Sequence, residues 1–185
     1  MQHTRIFAIT AALLCAAALF LTGCGGAAAR TEPLDYASIL QQARPQEEND
    51  AYNIYYAGTD GAVNGTAGFT ADLTADQIAD GAQASLDLLG LTPENCLGWA
   101  ASVSQMMTQS YAVVIALPAE GRTDAVKQGL QDFIQQQMEL QQNYLPDQYA
   151  IAKAAQLTTL PTGEVVLVMG PSADSELSAL KEALA

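Results

Sequence analysis

The stretch "SYAVVIAL", Ser110 to Leu117, decides the fold: it is short, apolar and β-branched, and Pro118 stops it. Those features specify a strand. In the preceding "CLGWAASVSQM", the residues Leu97, Trp99, Ala101 and Val103 alternate, so the two runs pair as a hairpin across Met106 to Gln109. Downstream, "EGRTDAVKQGLQDFIQQQMELQQNYLP" places Val126, Leu130, Phe133, Ile134 and Met138 at helical spacing, predicting a long helix over about Arg122 to Tyr144. A second hairpin follows, from "AKAAQLTTL" through the turn "PTG" to "EVVLVM", Glu164 to Met169. Gly170-Pro171 ends it, and Ser172 caps a last helix with Asp174 and Glu176 in its first turn and an inner stripe of Leu177, Leu180 and Leu184.

Upstream of the first hairpin, Thr74 to Leu89 reads as a helix. Thr74 and Gln77 form a capping box, Gly90 ends the helix and Pro93 prevents its return. Before it, Tyr52, Ile54 and Tyr56 alternate like a short strand, and "TDGA" and "VNGT" read as turns. The order helix, strand, strand, helix, strand, strand, helix predicts an α+β two-layer sandwich, an antiparallel sheet of about four strands with helices on one face. That single domain is expected over 51–185.

The chain begins differently. A short basic start, "MQHTR", precedes sixteen residues, Ile6 to Leu21, of which only Thr10 is polar. As a helix they cover ~24 Å, short of the ~30 Å bilayer core, so they read as the apolar region of an export signal over 1–23. "LTGC", Leu21, Thr22, Gly23 and Cys24, resembles the lipobox of bacterial lipoproteins. The resemblance implies cleavage after Gly23 and acylation of Cys24, hence a location on the extracytoplasmic face of the cell membrane. Residues 24–50, with Gly, Ala, Pro33, Pro45 and a closing acidic cluster, read as the lipidated cysteine and a flexible tether spanning ~25–30 Å.

The second half carries a further resemblance. "SYAVVIAL", the amphipathic helix, "QQNYLPDQYAIAKAAQ" and "GEVVLVM" together resemble a group of small lipoproteins from Gram-positive bacteria, filed under a domain of unknown function numbered four-three-five-eight. The resemblance spans about Ser110 to Met169, with "YLPDQY" its most specific piece. It implies location and class but no activity.

Composition narrows the chemistry. Removing 1–23 leaves six basic side chains against twenty acidic ones, a formal charge of −14, which repels nucleic acid and anionic lipid head groups. The only histidine, His3, lies in the leader, so the mature chain has no histidine for triads, zinc sites or acid–base work. Cys15 lies in the leader as well, and Cys96 then stands alone as a small buried hydrophobe. No cofactor and no metal is expected. Asp72, Asp76 and Asp80 would share a helix face, most simply a solvated one. None of Lys127, Lys153 and Lys181 sits in a Ser-x-x-Lys motif.

Tyr144, Pro146, Asp147 and Tyr149 form a candidate binding surface for a glycan or peptide. The simpler reading makes Pro146 a helix stop, with both tyrosines pinning the turn onto the core. Met106-Met107 offers an adaptable contact, or merely a loop with one side chain tucked in. A glutamine face of Gln131, Gln135, Gln136 and Gln142 is most simply solvated. The expected function is a non-enzymatic binding module of the cell envelope, membrane-anchored, meeting another envelope protein or a wall component. A carboxylate-dependent cell-wall hydrolase is the alternative. A deep pocket with two facing acids favours the hydrolase, and an exposed apolar patch favours the binding module.

Overall fold

The computed structural model describes residues 28–185. Six strands form one antiparallel sheet in the order β2-β1-β3-β4-β6-β5: β1 Ile54–Ala57, β2 Val63–Thr66, β3 Cys96–Val103, β4 Ala112–Pro118, β5 Gln156–Thr159 and β6 Val165–Met169. Six helices accompany them: α1 Tyr36–Ala43, α2 Gln46–Ala51, α3 Ala75–Leu89, α4 Thr123–Gln141, α5 Pro146–Lys153 and α6 Ala173–Ala183. The α+β class and both hairpins agree with the sequence reading. The sheet has six strands instead of about four, because the short strand read around Tyr52 to Tyr56 joins β3 as β1, and "VNGT", which reads as a turn, is β2 and pairs with β1 from Ile54–Thr66 to Ala57–Val63.

The helices lie on both faces, which corrects the two-layer expectation. On one face Ala112, Val114 and Ala116 of β4 pack with Trp99 and Ala101 of β3 beneath Leu86 of α3 and Val126, Leu130 and Phe133 of α4. On the other, Val113, Ile115 and Leu117 meet Val166 and Val168 of β6 beneath α1 and α6. Successive strand side chains point to opposite faces, so a strand covered on both sides must be apolar at every position. All seven residues of β4 and all five of β6 are buried accordingly.

Over its described part, residues 28–50, the tether reading is also corrected. Tyr36, Ala37 and Leu40 recur on one face of α1 and are buried against the second face of the sheet, Leu40 completely. Asp35 caps α1, its side chain accepting from Ser38 N at 3.1 Å. The folded part therefore reaches back at least to Arg30, whose backbone N donates to Thr162 O at 2.7 Å. The export signal over 1–23, with Leu21, Thr22 and Gly23, and the acylated Cys24 lie outside the described residues.

The helix over 74–89 forms as its residues dictate. Thr74 and Gln77 make both bonds of the capping box, and Gly90 closes α3 in the left-handed region at φ 64°. Pro146 does not merely stop α4. It opens α5, where its missing N–H costs nothing at the first helical position. The predicted strand from Ala152 accordingly begins later, at Gln156.

Candidate functional site

The central strands have two distinct ends. At one, β4 finishes and β6 starts, next to Arg30, Thr162 and Leu184. At the other, β3 hands over to β4 through residues 104–111, with Ala112 of β4 paired to Met169 of β6. The second end carries most of the exposed apolar surface. Met106 is 56 %, Met107 77 %, Phe69 64 % and Tyr144 84 % exposed, and Leu140 is exposed beside them on α4.

These side chains are held out by a polar frame. Gln109 N donates to Met106 O at 3.0 Å, closing the loop. The buried Gln141, on the last turn of α4, donates from Nε2 to Met107 O at 2.7 Å. Ser110 N donates to Gln148 Oε1 of α5 at 2.8 Å. Two left-handed residues, Ala67 at φ 62° and Gly68 at φ 53°, deliver Phe69. Such a backbone is strained at alanine and persists only where its surroundings impose it. Here Gly68 N donates to Asn49 O at 2.7 Å and Phe69 N to Asn53 Oδ1 at 2.8 Å. Phe69, Met106, Tyr52, Tyr55 and Gln109 line an open groove of about 430 Å³.

The predicted surface falls partly on this end. Tyr144 projects into solvent instead of pinning the turn, and neither methionine is tucked in. Pro146 and Asp147 are exposed on the first turn of α5, whereas Tyr149 is half-buried. Gln131, Gln135, Gln136 and Gln142 are exposed, but Gln137 and Gln141 face inward. Phe69 had no sequence signal beyond its position among turn residues.

Buried polar groups form two clusters that the tether reading hid. Arg44, 5 % exposed, donates from Nε to Asn49 Oδ1 at 2.6 Å, from Nη1 to Ser102 Oγ at 2.6 Å and Tyr111 OH at 2.9 Å, and from Nη2 to Tyr52 O at 2.8 Å. Tyr52 stacks on Tyr111 with ring centroids 3.8 Å apart. Burial holds the Tyr111 hydroxyl well above the usual phenol range. Beside this group, Glu48 of α2 faces Glu176 of α6. Burial first, and the Glu48 charge second, raise Glu176 to about 8, against the opposing pull of Arg44. In the second cluster Arg30 Nε and Tyr36 OH both donate to Glu164 Oε1, at 2.6 and 3.1 Å.

Glu48, Glu176 and Glu164 line neither the groove at Phe69 and Met106 nor the pocket at Cys96. Cys96 lines an apolar pocket of about 240 Å³ with Ala82, Leu86 and Trp99, and burial raises its thiol to about 12. Asp72, Asp76 and Asp80 are all exposed, and among the described residues no group of three or more His, Cys, Asp or Glu could hold a metal ion. None of the lysines is buried.

A family model described as "Domain of unknown function (DUF4358)" matches residues 70–170. The match runs from the turn after Phe69 through β6, so it starts well before Ser110 and takes in Met106, Met107, Leu140 and Tyr144. It leaves out α1, α2, the β1–β2 hairpin and α6. No curated protein and no solved structure matches the chain.

Proposed function

The chain belongs to the DUF4358 family, and from that premise we propose that it is a Gram-positive lipoprotein, held at the extracytoplasmic face of the cell membrane by acyl chains on Cys24, whose folded body binds a partner without catalysis. The anchor reading rests on the basic start, the apolar run and "LTGC". Among the described residues no helix is long and apolar enough to cross a membrane, so any attachment through them needs another device. Two acyl chains at ~0.8 kcal/mol per buried methylene supply one.

The observation that carries the binding reading is the exposed apolar end. Six residue steps separate Cys24 from Arg30, at most ~21 Å fully extended. The domain then stands close to the lipid with its Arg30 end inward, and the end bearing Met106, Met107, Phe69 and Tyr144 points away. Asp50, Asp72, Glu139 and Asp147 are exposed and stand within three residues in sequence of Ala51, Phe69, Leu140 and Tyr144 respectively. An apolar patch rimmed by acids fits an envelope protein that presents apolar side chains among lysines or arginines. A second copy of the chain fits poorly, since two bodies this acidic repel. The hydrolase reading needs two facing acids in an open cleft. Glu48 and Glu176 do face each other, but they are closed into the core at 8 % and 1 % exposure.

Two measurements test this. Cys24→Ala is expected to move the protein from the membrane fraction to the medium, and unchanged membrane retention removes the anchor reading. A photo-crosslinking side chain at Met107 is expected to capture, in intact cells, a peptide rich in basic and apolar residues. That capture should weaken with added salt and disappear in Phe69→Ser/Tyr144→Ser. Capture of another copy of this chain, or equal capture from Gln131, removes the binding-surface reading.

A further inference from the structure

We propose that Glu176 keeps its proton and turns it toward Glu48, so that the pair forms a pH-operated latch, which holds the short helix α2 against α6 and releases it when that proton is lost. The argument starts from unmet bonds. Glu48 Oε2 and both oxygens of Glu176 are buried with no hydrogen-bond donor. Glu176 is 1 % exposed, Glu48 8 %. Glu176 resists ionisation in such a site, because its charge would lack water and be repelled by the carboxyl group it faces. A proton on Glu176 removes the repulsion and lets one Glu176 oxygen donate to Glu48 Oε2, which leaves the second Glu176 oxygen as the one acceptor without a donor.

The groups facing the pair leave no other neutraliser. Arg44, at the end of α1, is the nearby cation, and its field lowers Glu176 less than burial and Glu48 raise it. It forms no salt bridge with either acid. Four of its five N–H groups go to Asn49, Ser102, Tyr111 and the Tyr52 carbonyl. Tyr111, at the head of β4, is neutral, its hydroxyl raised by burial. Ser102 of β3 carries no charge. With its proton held to about 8, Glu176 is neutral at pH 7 and ionises over the next two units.

α2 is the element built to respond. It has six residues, Pro45 as its N-cap and no side-chain cap bond. Glu47 and Asp50 on its outer face add negative charge that a newly ionised Glu176 would repel. The helix runs directly into Tyr52, which stacks on Tyr111 and, with Ala51, lines the exposed groove. Loss of the proton therefore loosens α2 and one wall of that groove. The latch stands whether or not the groove binds a partner.

Hydrogen exchange on the full chain in detergent micelles tests it. Tyr52 N–H, bonded to Glu48 O at 2.9 Å, reports the last turn of α2. Its protection factor is expected to fall about tenfold or more between pH 6 and pH 9 in the native chain and to stay level in Glu176→Gln, while β4 amides hold in both. A level factor in the native chain, or an equal fall in the variant, overturns the latch. Should Glu176→Gln not fold, carbon-detected titration of the native chain decides: a Glu176 carboxyl midpoint above pH 6.5 supports the latch, and one in the ordinary carboxylate range overturns it.

Discussion

Arg30 and Glu164 lie 134 positions apart in the chain, yet Arg30 Nε donates to Glu164 Oε1 at 2.6 Å. The same guanidinium donates from Nη2 to Leu184 O at 2.8 Å. One side chain thus ties the start of the fold to the β5–β6 turn and to the end of α6. Glu164 is fully buried, and Arg30 is 23 % exposed. Arg30→Ala leaves that carboxylate inside without its cation. Removing one partner of a buried pair costs ~3–5 kcal/mol, and the partial exposure of Arg30 places this case at about 3. Urea unfolding of the variant should show a lower midpoint with an unchanged slope.

The position of Arg30 bears on truncation. A chain beginning at Ala51, the boundary that composition suggests, lacks Arg30, Tyr36, Leu40 and Arg44. It uncovers Ile115 and Val166 and leaves Glu164 unpaired. It is expected to show no cooperative thermal transition, whereas a chain beginning at Gly25 melts sharply. Leu40→Ala alone, at a fully buried site, should cost ~2–5 kcal/mol. Near-ultraviolet circular dichroism on heating reads all three.

Much of this was legible in the residues. The capping box of α3, its Gly90 stop, both central hairpins and the inner stripe of α6 follow from local rules that tertiary contacts do not override. The coverage of both sheet faces was also written in "SYAVVIAL" and "EVVLVM", since an unbroken apolar run suits a strand with no solvent side. Proline and acids at 33–50 mask it by resembling a linker, although Tyr36, Ala37 and Leu40 keep helical spacing. The site was less legible. Tyr144 and the methionines carried a weak signal, but nothing local tells that Gln141 holds Met107 out, or that Glu176 turns inward instead of serving the helix dipole.

Stability should rise toward acid over an unusual range. Glu176 holds its proton to about 8 in the folded state and releases it near the ordinary carboxylate value when unfolded. Between those values the native state binds the extra proton, so raising the pH favours unfolding. The stabilisation is whole below the unfolded value and is lost as the pH passes through about 8. Thermal midpoints of the native chain should therefore fall from pH 6 to pH 9. Glu176→Gln should flatten that slope and be the more stable form at pH 9.

Gly129 of α4 packs directly on Gly90 at the end of α3. A methyl group there would collide with the Gly90 carbonyl, with its carbon only 2.8 Å away. In an open helix Gly→Ala gains ~1 kcal/mol. Here neither neighbour is a side chain that can swing aside, and Gly90 is fixed in the left-handed region. Overpacking of this kind costs ~1–3 kcal/mol, so Gly129→Ala should lose stability in spite of its propensity. At this chain length that is a fall in the melting midpoint of several degrees, at ~2–4 °C per kcal/mol.

Cys96 should be a poor nucleophile. It opens β3, lines the apolar pocket beside Trp99, and burial raises its thiol to about 12. The thiolate reacts and the thiol does not, so the native site offers little reactive form near neutral pH. Unfolding returns it to the ordinary value of ~8.5. Alkylation of the Cys96 peptide at pH 8, followed by mass spectrometry, should therefore run at least ~100-fold slower in the native chain than in urea. Reading that one peptide keeps Cys24 out of the measurement. Cys96→Ala should cost only about 1 kcal/mol, the loss of one small apolar group. Rapid native labelling would mean that the pocket opens to solvent and presents the thiol as ionised.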